Sequence, residues 1–218
     1  MTFAQKWIGL LAVSVLATAG SNSAHAAFFS NGSFENGTNP PAVGNFRTLN
    51  TGNTDITGWV VQANGIDWVE KNFWQASNGN YSVDLSALSA GGIQQTFDTV
   101  VGTQYTVSFD LAGNPEGGPV VKSVDVLATG GVTSNYTFDT TGKSRPNMGW
   151  LTKSYSFTAS STSTTLSFTS LNGTPFGPAL DNVSVTAVPV PAGMLLALTG
   201  LPMVGVVGWF RRRVGATA

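Results

Sequence analysis

The chain has 218 residues, no cysteine and one histidine, and its 10 basic and 11 acidic side chains give a formal net charge of −1. Without cysteine, neither a disulfide framework nor thiolate chemistry is available. The histidine, His25, lies in an N-terminal segment that we expect to be removed. Ser-His-Asp and Cys-His nucleophile systems and ordinary zinc sites are therefore excluded from the rest of the chain.

The start of the chain is typical of a secretory signal peptide, which we assign to residues 1–26. A lysine precedes an apolar run over residues 7–18, and Ala24 and Ala26 frame an A-x-A cleavage site. The apolar run is too short to span a bilayer comfortably, which disfavours a retained anchor. We therefore predict cleavage after Ala26 and export of the chain that follows.

Residues 27–187 have the length of one domain with a sizeable core. They contain all eleven acidic residues of the chain and six basic ones, a difference of −5. The six basic residues are scattered along the domain: Arg47, Lys71, Lys122, Lys143, Arg145 and Lys153. Because nucleic-acid binding depends on clustered lysine and arginine, we expect no nucleic-acid partner.

Alternation of apolar and polar residues predicts the secondary structure of this domain. Within residues 103–111, Tyr105, Val107 and Phe109 alternate with polar residues, which is typical of a half-buried strand. Similar patterns occur over residues 56–61, 81–85, 92–97, 120–128, 132–138, 151–157, 165–168 and 180–186. Turns rich in glycine and asparagine separate them, and no segment keeps a helical period. We predict an all-β fold, an antiparallel β-sandwich or jelly roll.

Aromatic residues and one polar loop are the candidates for carbohydrate binding. A sugar ring stacks its C–H face on indole while its hydroxyls pair with short polar side chains. Trp68 and Trp74 have polar neighbours that fit this role, and Trp150 is a third candidate, whereas Trp59 is expected in the core. The alternative for each of the three candidates is also a place in the core. Asn114 begins a long strand connection of the kind that carries function.

Catalysis without histidine or cysteine would require a pair of carboxylates. A glycosidase needs two such groups about 5 to 9 Å apart. The acidic residues that could supply the pair are Asp67, Glu70, Asp84, Asp110 and Glu116. Nothing in the sequence singles out two of them, so we expect the domain not to be an enzyme.

The domain opens with residues 31–35 and closes with residues 179–185. These two segments resemble the frame of galactose-binding-like jelly rolls, which include many carbohydrate-binding modules. In that fold the first and last strands lie side by side and often share a structural calcium ion, which takes six to eight oxygen ligands. The resemblance implies Glu35 and Asp181 as calcium ligands; the alternative is that they cap turns or face solvent.

Several motifs follow one another in order through the interior of the domain, at residues 56–59, 66–68, 74–76, 79–85, 92–97 and 109–115. With these motifs, the domain resembles the DUF642 family, whose bacterial branch is called choice-of-anchor C because one domain is joined to different anchors. The resemblance covers residue 31 to about residue 186, nearly the whole domain. The resemblance implies the galactose-binding-like fold and says much less about activity, because function depends on the site rather than the fold.

The end of the chain, residues 188–218, combines a proline-containing motif, an apolar span and a basic cluster. The motif is Val188, Pro189, Val190, Pro191 and Ala192, and the basic cluster is Arg211, Arg212 and Arg213. We predict a transmembrane helix over residues 192–210, which would be about 28 Å long, close to the thickness of a bilayer's hydrocarbon core. The positive-inside rule places the arginines in the cytoplasm.

This tail resembles the PEP-CTERM class of sorting tails, in particular its VPLPA-type variant, with Val190 in place of leucine. The resemblance implies a transient inner-membrane anchor that an exosortase-type protease cuts near the proline motif. The alternative is a plain single-pass anchor.

Together, the resemblances and the tryptophans suggest an exported, non-catalytic domain that binds polysaccharide. We expect it first at the inner membrane and then on the outer surface or in the extracellular matrix of a Gram-negative bacterium. A second hypothesis is a structural matrix or biofilm protein without glycan binding, whose tryptophans all lie in the core. A third is a carboxylate glycosidase.

Overall fold

The computed structural model describes residues 28–189. Eleven β-strands and no helix occur in this range. The strands are β1 (Phe46–Leu49), β2 (Val60–Ala63), β3 (Ile66–Glu70), β4 (Tyr81–Asp84), β5 (Gly91–Asp98), β6 (Gln104–Gly113), β7 (Val121–Ala128), β8 (Ser134–Asp139), β9 (Leu151–Thr158), β10 (Ser163–Ser170) and β11 (Pro178–Ala187). The predicted signal peptide, the predicted span over residues 192–210 and the basic cluster lie outside the described residues. Across residues 28–189, no helix has the length and apolar character needed to cross a membrane.

The strands form two antiparallel sheets that pack face to face. One sheet has six strands in the order β1-β3-β4-β11-β6-β9, and the other has five in the order β2-β5-β10-β7-β8. Every strand pairing is antiparallel. The prediction of an all-β antiparallel sandwich is therefore confirmed.

The opening segment differs from the expected first strand. Residues 31–35 form a turn and irregular chain, and the first strand, β1, lies at the edge of the six-stranded sheet. The opening segment nevertheless lies beside β11, because the Val183 N–H donates to the Gly32 carbonyl at 2.9 Å. A side chain at Gly32 would collide with the Val183 carbonyl, so this close approach requires glycine.

The core lies between the two sheets and is rich in aromatic rings. On β6, Val107 and Phe109 are fully buried, as the alternation predicts, and the Phe109 ring lies 5.2 Å from the Phe168 ring of β10 in the opposite sheet. Trp59 is 1% exposed, as expected for a core residue, and its indole N–H donates to the Asn31 carbonyl at 2.9 Å. The closing of the sandwich thus buries apolar surface, the main favourable term in folding.

The outer face of the six-stranded sheet carries polar residues in a row. The register pairs Thr48 of β1 with Asp67 of β3, and Asp67 with Asp84 of β4. Neighbours directly across an antiparallel pair point to the same face, whereas successive residues of one strand point to opposite faces. Trp68 therefore faces the core, and Asp67 faces outward together with Thr48 and Asp84.

Candidate functional site

A cleft of about 420 Å³ opens over this polar row, and we call it the acidic cleft. Its floor contains Thr48, Asp67 and Asp84, with Asn114 and Glu116 at one side. Its apolar lining comes from several loops and strands: Phe46, Val69, Phe73, Ala87, Leu88, Pro175 and Phe176. A volume of this size falls in the range of small-ligand sites, about 300 to 1,000 Å³.

Asp67 is the half-buried carboxylate of the cleft floor. Its Oδ1 accepts a hydrogen bond from Thr48 Oγ1 at 2.6 Å. Burial raises the pKa of Asp67 to about 6, against the opposing effect of the Thr48 hydrogen bond. Asp67 can therefore change its charge near neutral pH while it remains in contact with the cleft.

Asp84, beside Asp67, is buried and fully engaged. Its Oδ1 accepts from the Ser86 and Gly177 N–H groups at 3.0 and 3.1 Å, and its Oδ2 accepts from Asn114 Nδ2 at 2.8 Å. Burial raises the pKa of Asp84 to about 8, although these hydrogen bonds oppose the shift. With its oxygens occupied, Asp84 orients Asn114 rather than a ligand.

Asn114 lies in the cleft lining and is held from both sides. Besides its bond to Asp84, its Oδ1 accepts from the Glu116 N–H at 3.0 Å, and its own N–H donates to the Gly177 carbonyl at 2.9 Å. The side chain is thus fixed before any ligand arrives. Of the four residues predicted for carbohydrate binding, Asn114 and Trp74 line the acidic cleft.

Lys122 holds the two loops that form one end of the cleft. Its side chain is buried, and its Nζ donates to the Gly117 carbonyl at 2.6 Å and to the Phe176 carbonyl at 2.8 Å. Burial lowers the pKa of Lys122, and the nearby Asp84 carboxylate opposes that shift. The Phe176 ring packs against Gly117, where any side chain would collide with it. Sequence reasoning missed this contact because the two loops are far apart in the chain.

Two phenylalanine rings and an arginine form one wall of the cleft. Phe46 is 46% exposed, and its ring lies 5.1 Å from the Phe73 ring in an edge-to-face contact. The Arg145 guanidinium carbon lies 3.9 Å from the Phe73 ring centroid. Arg145 Nη2 also donates to Glu116 Oε2 at 2.7 Å, while Arg145 Nε has no hydrogen-bond partner among residues 28–189. We call Phe73 and Arg145 together the ridge.

A second cavity of about 600 Å³ lies on the other side of the ridge. Lys71, Asn72 and Gln75 supply its polar groups. The second cavity and the acidic cleft share Phe73, Trp74 and Arg145 in their linings. The ridge therefore separates two adjoining cavities on one surface of the molecule.

Trp68 and Trp74 are buried, so the expectation that they offer an exposed ring is wrong. Trp68 is 0% exposed and packs in the core with its ring 5.2 Å from the Tyr81 ring. Trp74 is 2% exposed; its Nε1 donates to Ser82 Oγ at 2.7 Å, and its ring lies 6.0 Å from Phe73. Trp74 therefore supports the ridge from below and offers no face to a sugar.

Trp150 occupies an intermediate position. It is half-buried and packs against the core cluster. Its Nε1 donates to the Gln75 carbonyl at 2.8 Å. Trp150 therefore helps to fix the loop that carries Gln75, and it lines neither the acidic cleft nor the second cavity.

The two predicted calcium ligands hold one loop, residues 77–81. Both carboxylates accept hydrogen bonds from its backbone N–H groups, which are Asn80 and Tyr81 at 2.7 and 2.8 Å for Glu35, and Ser77 and Asn78 at 2.8 Å each for Asp181. Calcium requires oxygen ligands in place of N–H donors. In residues 28–189, no group of three or more acidic or histidine side chains is placed to hold a metal ion. As they stand, these contacts do not fit a calcium site.

Three of the five acidic residues considered for catalysis lie in the acidic cleft, and the other two lie elsewhere. Asp67, Asp84 and Glu116 line the acidic cleft. Glu70 instead accepts hydrogen bonds from the Gly44 and Asn72 N–H groups. Asp110 accepts them from the Ser77, Thr152 and Asn182 side chains. Burial raises the pKa of Asp110, but these three hydrogen bonds outweigh it and leave the pKa below its usual value.

Comparison with known proteins gives a family and one curated relative. A family model described as a protein of unknown function (DUF642) matches residues 27–186. Halomucin from Haloquadratum walsbyi is 30% identical over 165 residues, which is 71% of this chain. The chain spans 2% of the length of halomucin.

Several solved structures are similar to the chain at low identity. TmCBM61 in complex with β-1,4-galactotriose is 17% identical, with a TM-score of 0.44 over 74% of this chain and 99% of that one. A family 35 carbohydrate-binding module from Clostridium thermocellum is 12% identical, with a TM-score of 0.45 over 66% of this chain and 99% of that one. A family 35 module from Paenibacillus barcinonensis is 21% identical, with a TM-score of 0.41 over 66% and 99%. Similarity at this level does not identify a ligand or the position of a binding site.

Proposed function

The chain belongs to the DUF642 family, and we propose that its described domain is a non-catalytic carbohydrate-binding domain that holds polysaccharide in the acidic cleft. The observation that carries this proposal is the composition of the cleft. The exposed ring of Phe46, the Asp67 carboxylate and the Asn114 amide line the same cleft. An aromatic ring next to hydrogen-bonding groups suits a sugar, because a sugar presents an apolar C–H face and a rim of hydroxyls.

Binding would divide between the wall and the floor of the cleft. The rings of Phe46 and Phe73 provide the apolar surface for the C–H face of a sugar. Asp67 accepts hydrogen bonds from hydroxyls, and a hydrogen bond to a charged group contributes more than one between neutral groups. Thr48 already donates to Asp67, so its hydroxyl oxygen can accept from the same sugar.

Catalysis is disfavoured because the acidic residues of the cleft are not free to act as a pair on a substrate. A glycosidase requires two carboxyl groups that both reach the scissile bond. Asp84 is 1% exposed and its oxygens are occupied by three donors, so it cannot reach a substrate. Glu116 is engaged by Arg145. We expect no release of reducing ends from any polysaccharide that the protein binds.

The proposal is tested by retention of the full-length protein on a panel of neutral, acidic and cell-wall polysaccharides. Phe46→Ala should weaken retention by roughly 10-fold, the effect of losing one aromatic stacking contact. Phe28→Ala is the matched control, because Phe28 is 82% exposed and lies in a different cavity. Failure of every polysaccharide to retain the protein would contradict the proposal, and so would equal loss of retention in the two variants.

Export and sorting are part of the same proposal and rest on the sequence. The signal peptide of residues 1–26 would direct secretion, and the tail of residues 188–218 would hold the protein transiently at the inner membrane. An exosortase-type protease would then release it near Pro191, to the outer surface or the extracellular matrix of a Gram-negative bacterium.

A second candidate function is a structural role in a matrix or biofilm, without glycan binding. The burial of Trp59, Trp68 and Trp74 favours it, because that hypothesis places all tryptophans in the core. It predicts that Phe46→Ala and Asp67→Asn leave every interaction of the protein unchanged.

A further inference from the structure

We infer that the acidic cleft is one half of a longer groove, which binds an internal stretch of a linear glycan side-on across the ridge rather than a chain end. This inference rests on the proposed function and concerns the shape of the ligand. The acidic cleft of about 420 Å³ and the second cavity of about 600 Å³ meet at Phe73 and Arg145, which line both. The same two side chains are therefore within reach of a ligand in either cavity.

Hydrogen bonds between two loops hold the ridge in a fixed position. The Gln75 N–H donates to the Arg145 carbonyl at 2.7 Å, and Gln75 Oε1 accepts from the Met148 N–H at 3.1 Å. The Gln75 carbonyl accepts from Trp150 at 2.8 Å. Three hydrogen bonds thus join the loop that carries Phe73 to the loop that carries Arg145. A rigid surface binds a ligand without first losing conformational freedom.

The top of the ridge is open to solvent. The side chain of Arg145 is 41% exposed, and Phe73 is half-buried on its Trp74 support. A glycan chain can therefore pass over the ridge from one cavity to the other. A site for a chain end would be closed to solvent at this position, whereas the ridge is open and presents an aromatic ring against which a sugar can pack.

The two cavities offer different polar groups to successive sugars. The acidic cleft presents carboxylates and an amide, whereas the second cavity presents the exposed side chains of Lys71, Asn72 and Gln75. Each cavity alone falls in the size range of a complete small-ligand site, about 300 to 1,000 Å³. A monosaccharide would occupy one cavity and leave the other filled with water, whereas consecutive sugar units of a glycan chain would fill both.

The test is a length series of the polysaccharide that the panel retains, prepared as oligosaccharides of one to six units and titrated calorimetrically into the full-length protein. We expect affinity to rise at least about 10-fold from the monosaccharide to the longer oligosaccharides and then to level off. Equal affinity for one and six units would overturn the inference and leave the proposed function standing. Retention of no polysaccharide would instead contradict the proposed function.

A pair of lysine variants separates the two cavities. Lys71→Ala, in the second cavity, should weaken the six-unit ligand several-fold and leave the one-unit ligand unchanged, because only the longer ligand reaches it. Lys153→Ala, on strand β9 outside both cavities, is the control and should change neither. An unchanged six-unit affinity in Lys71→Ala would overturn side-on binding across the ridge.

Discussion

At the scale of single residues, the raised pKa of Asp67 makes the stability of the domain depend on pH. Burial raises its pKa to about 6 from a reference of 3.8, and the Thr48 hydrogen bond partly offsets this. Because the folded-state pKa is raised, the protonated carboxyl contributes stability that is fully present below about pH 4 and is lost as the pH rises through 6. The Asp67 contribution to stability therefore falls between about pH 4 and pH 7.

We predict that NMR titration of the Asp67 side chain gives a pKa near 6, and that Thr48→Val raises it further by removing the hydrogen bond to the carboxylate. Asp67→Asn should flatten the pH dependence of the melting temperature over the same interval. Thr152→Val is the matched control, since Thr152 donates to Asp110 and not to Asp67. A measured Asp67 pKa near 4 in the wild type would contradict this prediction, because it would mean that the carboxyl group is as well hydrated as in bulk water.

Trp74 acts through packing and a single hydrogen bond. We predict that Trp74→Phe destabilises the protein by about 1–3 kcal/mol, because Ser82 Oγ loses its partner in a buried site. Trp74→Ala should cost more, about 3–5 kcal/mol, because it also leaves a cavity under Phe73. The measurement is urea unfolding, with Phe28→Ala as an exposed aromatic control expected within about 0.5 kcal/mol of the wild type. A Trp74→Ala protein as stable as the control would mean that the indole is exposed after all.

The tryptophans also show what could not be predicted from the sequence at this scale. Polar neighbours in the chain suggested that Trp68 is exposed, but adjacent residues of a strand point to opposite faces. Asp67 therefore faces the cleft and Trp68 the core. The position of Asn114 in a cleft lining could be expected from the sequence, because the residue begins a loop, where a side chain is not restricted to one face of a sheet.

At the scale of elements, the loop of residues 77–81 depends on two carboxylates. Asp181 is 0% exposed and accepts from two of its backbone N–H groups. Burial raises the pKa of Asp181 to about 7, with the backbone hydrogen bonds opposing the shift. Removing this carboxylate would take away the hydrogen-bond acceptor of the Ser77 and Asn78 N–H groups. A hydrogen bond to a charged group contributes about 1.5–3 kcal/mol.

We predict that excess chelator leaves the melting temperature unchanged, because N–H donors already occupy the carboxylates of Glu35 and Asp181. Asp181→Ala should lower the melting temperature by several degrees, with or without calcium, since a loss of 1 kcal/mol lowers it by about 2–4 °C in a domain of this size. A fall in the wild-type melting temperature on chelation, reversed by calcium, would favour the calcium site that the family resemblance implies.

Alternation of apolar and polar residues predicted some strands and missed others. The alternation over residues 103–111 marks β6 well, whereas β1 and β3 were missed. On β3, Trp68 and Val69 are both buried although they point to opposite faces, because the loops around the cleft cover the outer side. A strand covered on both faces loses the period of two that identifies it.

At the scale of the whole molecule, the fold class followed from the sequence but the cleft did not. Short alternating segments between turns are enough to indicate a sandwich. The cleft instead depends on the register of β1, β3 and β4, and on residues as distant as Asp67 and Arg145. No local pattern contains that information.

Proteolytic processing of the two ends of the chain is also considered at the scale of the whole molecule. The last strand ends at Ala187, and the Val188 N–H donates to the Gln104 carbonyl at 2.8 Å. The domain thus ends at the proline motif of the predicted tail. We predict that the intact mass of the protein recovered from its host begins after Ala26 and ends near Pro191. A mass that includes Arg213 would contradict processing and favour a single-pass anchor.

The central claim is that the acidic cleft binds carbohydrate, and chemical-shift mapping tests it most directly. Backbone amide signals of the protein would be recorded while a six-unit oligosaccharide of the retained polysaccharide is added to saturation. We predict that the largest shifts occur at Thr48, Asp67 and Asn114, with smaller ones at the ridge. Shifts confined to another surface, such as the cavity around Phe28 and Val100, or no shifts at all, would contradict the claim.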